Sequence, residues 1–192
     1  MRPSFANLIT VKNVLVSVDL GFPKPGASML EERKCAASLS GSGGALALKS
    51  GDGDPPGMWV HYLQGKSAFG IAQGGETWAA SGPFSGCHII VGKKDGQIYV
   101  AHIAHETKEQ AVEADQAWAG RGWRDEVWGR WKVSAPSGDF NCNSIVFVDW
   151  SGGTAPNAIS VVRLDLKTKS MGGFDKAPME VFGVEHLVSP AK

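Results

Sequence analysis

The stretch Phe84-Ser85-Gly86-Cys87-His88-Ile89-Ile90-Val91-Gly92-Lys93-Lys94-Asp95-Gly96-Gln97-Ile98-Tyr99-Val100-Ala101-His102 decides how this chain is read. Two apolar runs, His88–Val91 and Ile98–His102, flank Asp95-Gly96, a favoured pair for a tight two-residue hairpin turn. With that turn Lys94 faces Gln97, Ile89 faces His102 and Cys87 faces Ala104. Side chains alternate along strands, so Cys87, Ile89, Val91, Ile98, Val100 and His102 share one face, and His88 and His105 take the other. Cys87 and His102 become diagonal neighbours, with Cβ atoms roughly 7–8 Å apart or less. A four-residue loop keeps this facing; a three-residue loop shifts the register by one and separates the pair.

The rest of the chain suits a β-rich fold. It has 192 residues, 43% apolar and 20% charged, with a formal net charge of zero, which allows a packed core and gives no basic footprint for nucleic acid. Twenty-five glycines, seven tryptophans and many short apolar runs favour strands joined by tight turns. Outside the hairpin, strands are expected within Leu8–Leu20, Ala45–Lys49, Met58–Leu63, Ser67–Gln73, Asn143–Trp150, Ala158–Leu166 and Met179–Val188. Ile145–Val148 is apolar without a break, as in a strand buried on both faces. Gly21–Gly26 reads as a loop. Met29–Leu39 and Trp123–Trp128 read as short helices. Glu106–Trp118 reads as a longer amphipathic helix capped by Thr107, with Gln110 placed for a capping box.

The three cysteines, Cys35, Cys87 and Cys142, are an odd number at wide spacing, a poor disulfide framework. No C-x-x-C occurs, and His102-x-x-His105 would face opposite ways on a strand, so no metal and no cofactor is expected. No apolar run reaches the roughly 18–20 residues of a membrane span, and the N-terminus lacks the pattern of a signal peptide.

The chemistry a Cys87–His102 pair offers is nucleophilic. An adjacent imidazole raises the thiolate fraction of a cysteine. The bend at Ser85-Gly86 lets the backbone N–H groups of Gly86 and Cys87 face a developing oxyanion. On residue types and spacing alone, a core cysteine beside an unrelated histidine is the commoner explanation of such a pair.

Ser85-Gly86-Cys87, an apolar run, a glycine turn and His102 fifteen residues on together resemble the cysteine hydrolases that deamidate glutamine side chains. That superfamily includes the cytotoxic necrotizing factor catalytic domain, the chemoreceptor deamidase CheD and Burkholderia lethal factor 1. Similarity to the last continues through Glu113–Trp118 and Asp125–Val133. The resemblance implies an α+β fold over residues 1–192 as one deamidase-like domain: a β-sandwich-like core of mostly antiparallel strands with flanking helices. It implies a bacterial toxin or effector that converts a glutamine of a target protein to glutamate through a thioester, without cofactor. Such a protein would pass from the bacterial cytoplasm to the cytosol of a target cell. Cys87 matches the nucleophile and His102 the base. Six positions before the cysteine, where CheD and the lethal factor carry threonine, stands Ser81. Thr77 competes for that place. The tryptophans Trp118, Trp123, Trp128 and Trp131 read as packing between helix and sheet, or as an aromatic platform beside the site.

Overall fold

Asp95 and Gly96 both have positive φ, 49° and 87°, the signature of the type I′ turn that matches the twist of two strands. The computed structural model of the chain describes residues 1–17, 28–104, 107–123, 125–134, 142–169 and 173–187. In it the turn joins two strands with Lys94 opposite Gln97 and Ile89 opposite His102, the expected register. Ile89, Val91, Ile98 and Val100 all enter one apolar core with Cys87. Burying each of these aliphatic side chains is worth about 1.5–3 kcal/mol, and a one-residue slip would turn all of them outward. The apolar faces therefore hold the register, and the turn makes it reachable.

In chain order the elements are helix α1 (Phe5–Leu8) and strands β1 (Asn13–Ser17), β2 (Leu30–Glu32), β3 (Lys34–Ser42), β4 (Ala45–Ser50), β5 (Gly57–Val60), β6 (Ser67–Ile71), β7 (Trp78–Phe84), β8 (His88–Lys94) and β9 (Gln97–Ile103). Helix α2 (Lys108–Ala119) follows, then β10 (Asp125–Lys132), β11 (Cys142–Asp149), a 3₁₀ turn (Pro156–Ala158), β12 (Ser160–Lys167) and β13 (Met179–His186). Eight strands close a barrel in the order β1-β13-β12-β11-β7-β5-β3-β4, and a five-stranded sheet runs β10-β8-β9-β6-β2. Most pairings are antiparallel; β1–β4, β5–β7 and β2–β6 are parallel.

This corrects the expected α+β sandwich with flanking helices. The fold is mostly β, with thirteen strands among the described residues, and the parallel β1–β4 pairing joins the two ends of the larger sheet into a barrel with no free edge. Among the described residues, helix is confined to the four-residue α1, the twelve-residue α2 and the 3₁₀ turn. Met29–Leu39 is not a helix but spans β2 and most of β3. Its helix-forming residues yield to pairing with β6, β5 and β4, and strand alternation turns Ala37 and Leu39 into the barrel. Asp125–Trp128 is likewise strand. A bulge between Val127 and Gly129 brings Trp128 and Trp131 into one core although they are three positions apart, which imitates helical spacing. The Gly21–Gly26 loop, His105, Glu106 and Val188 lie outside the described residues.

Three apolar layers follow from strand alternation. Trp59, Trp78, Ala80, Ile145, Phe147, Val162 and Leu164 fill the barrel, with Leu8 of α1 among them. Their strand neighbours Met58, Val60, Ala79, Val146, Val148 and Val161 face outward and meet Ile89, Val91, Ile98, Val100, Trp128 and Trp131 of the five-stranded sheet. On the far side of that sheet Phe69, Ile71, Tyr99 and Ala101 pack under Ala114 and Trp118 of α2. Thr107 Oγ1 accepts the Gln110 N–H at 3.2 Å, so the expected cap is in place. No helix among the described residues is long and apolar enough to cross a membrane.

The segment leading into β7 is held by Glu76. Its carboxylate accepts the N–H groups of Gln73 and Gly74 and lies 3.7 Å from the Lys34 ammonium. Burial works against its ionisation, but the Gly74 N–H, its own N–H, the Lys34 charge and the Gln73 N–H outweigh that and hold its pKa below the usual 4.5. A carboxylate lowered on folding adds stability above its unfolded pKa, and that stability is lost as pH falls through the folded value. Glu76→Gln should therefore lower the melting temperature at pH 7, and the gap to wild type should close on acidification below 4.5. At the hairpin, Gly96→Ala should cost about 1–2 kcal/mol in urea unfolding with an unchanged denaturant slope, since the added methyl meets only open space and the penalty is purely conformational.

Candidate active site

Cys87 sits where the chain crosses from the barrel to the second sheet. Phe84 ends β7 in the barrel wall and His88 opens β8 in the other sheet. The crossing is made at Gly86, whose φ of 141° is open to glycine alone. Gly86 donates its N–H to the Val133 carbonyl at 2.8 Å, and the Val133 N–H donates to the Cys87 carbonyl at 2.9 Å. These two bonds continue the β8–β10 ladder one step past its end. Cys87 is 5% exposed, beside half-buried Gly86 and exposed Ser85. The Gly86 N–H, expected to face an oxyanion, is spent on Val133.

His102 lies on β9 and is fully buried. Cys87 stands two residues before Ile89, the partner of His102, on the same face and at the open end of the hairpin. His102 Nδ1 is 2.9 Å from Ser81 Oγ, and Ser81 Oγ is 2.8 Å from the Val60 carbonyl oxygen. Val60 and Ser81 are partners across the parallel β5–β7 ladder. A carbonyl only accepts, so the serine proton goes to Val60. The serine oxygen then accepts, and the proton in the second bond belongs to His102 Nδ1. Neutral His102 is thereby the Nδ1–H tautomer, with Nε2 the nitrogen that takes up a proton. Phe84 stacks on the imidazole at 4.0 Å and 9°, and Tyr62 lies 5.4 Å away at a tilt of 59°.

Of the two hydroxyl residues competing for the third position, Ser81 is the one whose Oγ lies 2.9 Å from His102 Nδ1. Thr77 precedes β7, four residues before Ser81 and about 13 Å along an extended chain. His88 is turned to the helix side, where its Nδ1 is 3.4 Å from Arg130, itself paired with Asp115 at 2.7 Å. Asp149 accepts the Ser151 N–H, and His186 contacts Ser160 and Phe5. Trp118 and Trp123 pack on the helix side of the sheet while Trp128 and Trp131 lie in the seam facing the barrel, so the four form no common platform. Among the described residues no three His, Cys, Asp or Glu side chains cluster as a metal site. Neither the Val60 carbonyl nor the flanking rings carried a signal in the sequence beyond the adjacency of Phe84 to Ser85-Gly86-Cys87.

No protein-family model matches the chain, and no curated protein matches it. Among solved structures, the C-terminal domain of CNFy from Yersinia pseudotuberculosis is similar over 64% of this chain, at 11% identity and a TM-score of 0.28. The similarity spans about half of that domain's chain, 53%. A likeness so remote decides neither fold nor activity.

Removing the serine hydroxyl should show which nitrogen it controls. In ¹H–¹⁵N spectra of wild type, His102 should give the Nδ1–H pattern at neutral charge. Ser81→Ala should lose it and unfold about 1–3 kcal/mol more easily, the cost of stranding two buried polar partners.

Proposed function

We propose that this chain is a cysteine hydrolase that deamidates a glutamine side chain of a target protein, as a bacterial toxin or effector would. The observation that carries the reading is the Val60–Ser81–His102 chain of hydrogen bonds, which makes Nε2 the basic nitrogen of a histidine sharing its strand face with Cys87. The Ser-Gly-Cys…His resemblance supplies the substrate class.

In this mechanism His102 Nε2 takes the Cys87 thiol proton, and the thiolate attacks the glutamine carboxamide carbon. The Gly86 N–H is bonded to Val133, so it is not the donor that receives the oxyanion. The imidazolium, held by the Ser81 oxygen and faced by the Phe84 ring, returns its proton to the leaving nitrogen. Ammonia departs and a thioester remains. Water, losing a proton to Nε2, attacks the thioester; the sulfur leaves and regains its proton, and glutamate is released. An amine in place of water would give a transglutamination product. No cofactor takes part. The partner is a protein presenting an accessible glutamine; nucleic acid has no role.

Burial favours one rival reading, a β-rich binding module in which Cys87 is merely core. Iodoacetamide separates the two. Cys35 is half-buried and Cys142 is buried, and none of the three cysteines is in a disulfide. If exposure governed reactivity, Cys35 would react first. The hydrolase reading expects Cys87 to react faster than both, and His102→Ala to slow Cys87 about tenfold or more without touching the others. An inert Cys87 sinks the reading. A Gln-to-Glu mass change in target-cell proteins, present with wild type and absent with a folded Cys87→Ser variant, identifies the substrate.

A further inference from the structure

We infer that Arg163 is a positioning residue for Cys87, an inference that rests on the hydrolase reading above. Strand pairing lays Val60, Ser81, Val146, Arg163 and Glu185 in one row across β5, β7, β11, β12 and β13. Val60 and Val146 face the seam between barrel and sheet, so Arg163 emerges on the same wall as Ser81, two strands away and roughly 9–10 Å from it. Its side chain is only 12% exposed.

The guanidinium fork is divided between the two sheets. On the barrel, Nε donates to Asp165 Oδ1 at 2.6 Å and to Ser144 Oγ at 3.2 Å, while the Ser144 hydroxyl donates to the same carboxylate oxygen at 2.7 Å. Nη1 lies 3.7 Å from Glu185. Across the seam, Nη2 donates to the Ser134 carbonyl at 3.0 Å. Ser134 directly follows Val133, which holds Gly86 and Cys87 through their backbones. Arg163 thus ties the strand end that carries the nucleophile to the barrel wall that carries Ser81, and through Ser81 to His102. The two halves of the pair are referenced to one wall. Arginine suits this because its planar fork serves a carboxylate and a carbonyl at once, which a single ammonium does poorly. Removing one partner of a buried ion pair strands the other charge and lowers stability whatever the pair's role, so the positioning role is read in the reactivity of Cys87 and not in melting temperature.

The test is alkylation of Cys87 by iodoacetamide, normalised to Cys35 in the same molecule. Arg163→Met should slow Cys87 about tenfold and leave Cys35 unchanged. In a His102→Ala background it should have no further effect, because only the approach of sulfur to imidazole has been lost. Loosening of the structure alone would instead expose Cys87 and speed its reaction in both backgrounds; that result, an unchanged Cys87 rate, or equal slowing in both backgrounds overturns the inference while leaving the hydrolase reading intact. A wild-type rate indifferent to His102→Ala overturns both. If Arg163→Met does not fold, Arg163→Lys, which keeps the charge but not the fork, goes through the same cycle with the same criteria.

Discussion

The seam between the barrel wall and the five-stranded sheet is the constraint on which the rest of this structure depends. Its centre is apolar, built from outward-facing residues of β5, β7, β11 and β12 and inward-facing residues of β8, β9 and β10. A buried histidine in such a layer must find partners for its polar atoms or destabilise the fold. Ser81 provides one, and it can do so only because Val60 takes the serine's own proton. The demand for satisfied hydrogen bonds thus fixes a protonation pattern, and that pattern is the one a general base requires.

The same seam accounts for the placement of Cys87. β7 and β8 are consecutive in sequence yet belong to different sheets, so the chain must cross between them. The crossing is short and turns on one glycine. A residue just after such a crossing is anchored to one sheet by its backbone and meets the other with its side chain. Both anchors are seen here, Val133 through the backbone and the seam core around the sulfur.

How much of this could be read beforehand depends on the range of the interactions involved. The hairpin, its register and the shared face of Cys87 and His102 were legible, because alternation and an Asp-Gly turn are local signals. The burial of β11 on both faces was legible as well, because Ile145–Val148 is an unbroken apolar run. Ser81 emerged through resemblance, beside Thr77, and its hydrogen-bond distance from His102 depends on packing between the two sheets, which no local pattern marks. The barrel was not legible: its closure depends on a parallel pairing of β1 with β4, which leaves no local mark. Two segments were misread as helices, one because Ala, Glu and Lys favour helix until partner strands claim them, the other because a bulge mimics helical spacing. The Val60 carbonyl and Arg163 were invisible because their places depend on a register carried across several strands.

The hydrogen bond from His102 to Ser81 joins two sheets that share no edge. The hairpin can form early and bring cysteine and histidine to one face, but the serine that sets the imidazole's tautomer arrives only when barrel and sheet dock. Until then the chain carries three ordinary thiols. The arrangement of cysteine, histidine and serine is therefore complete only once the two sheets are packed together, and on the hydrolase reading proposed above the reactivity of one sulfur would report that the two halves had closed.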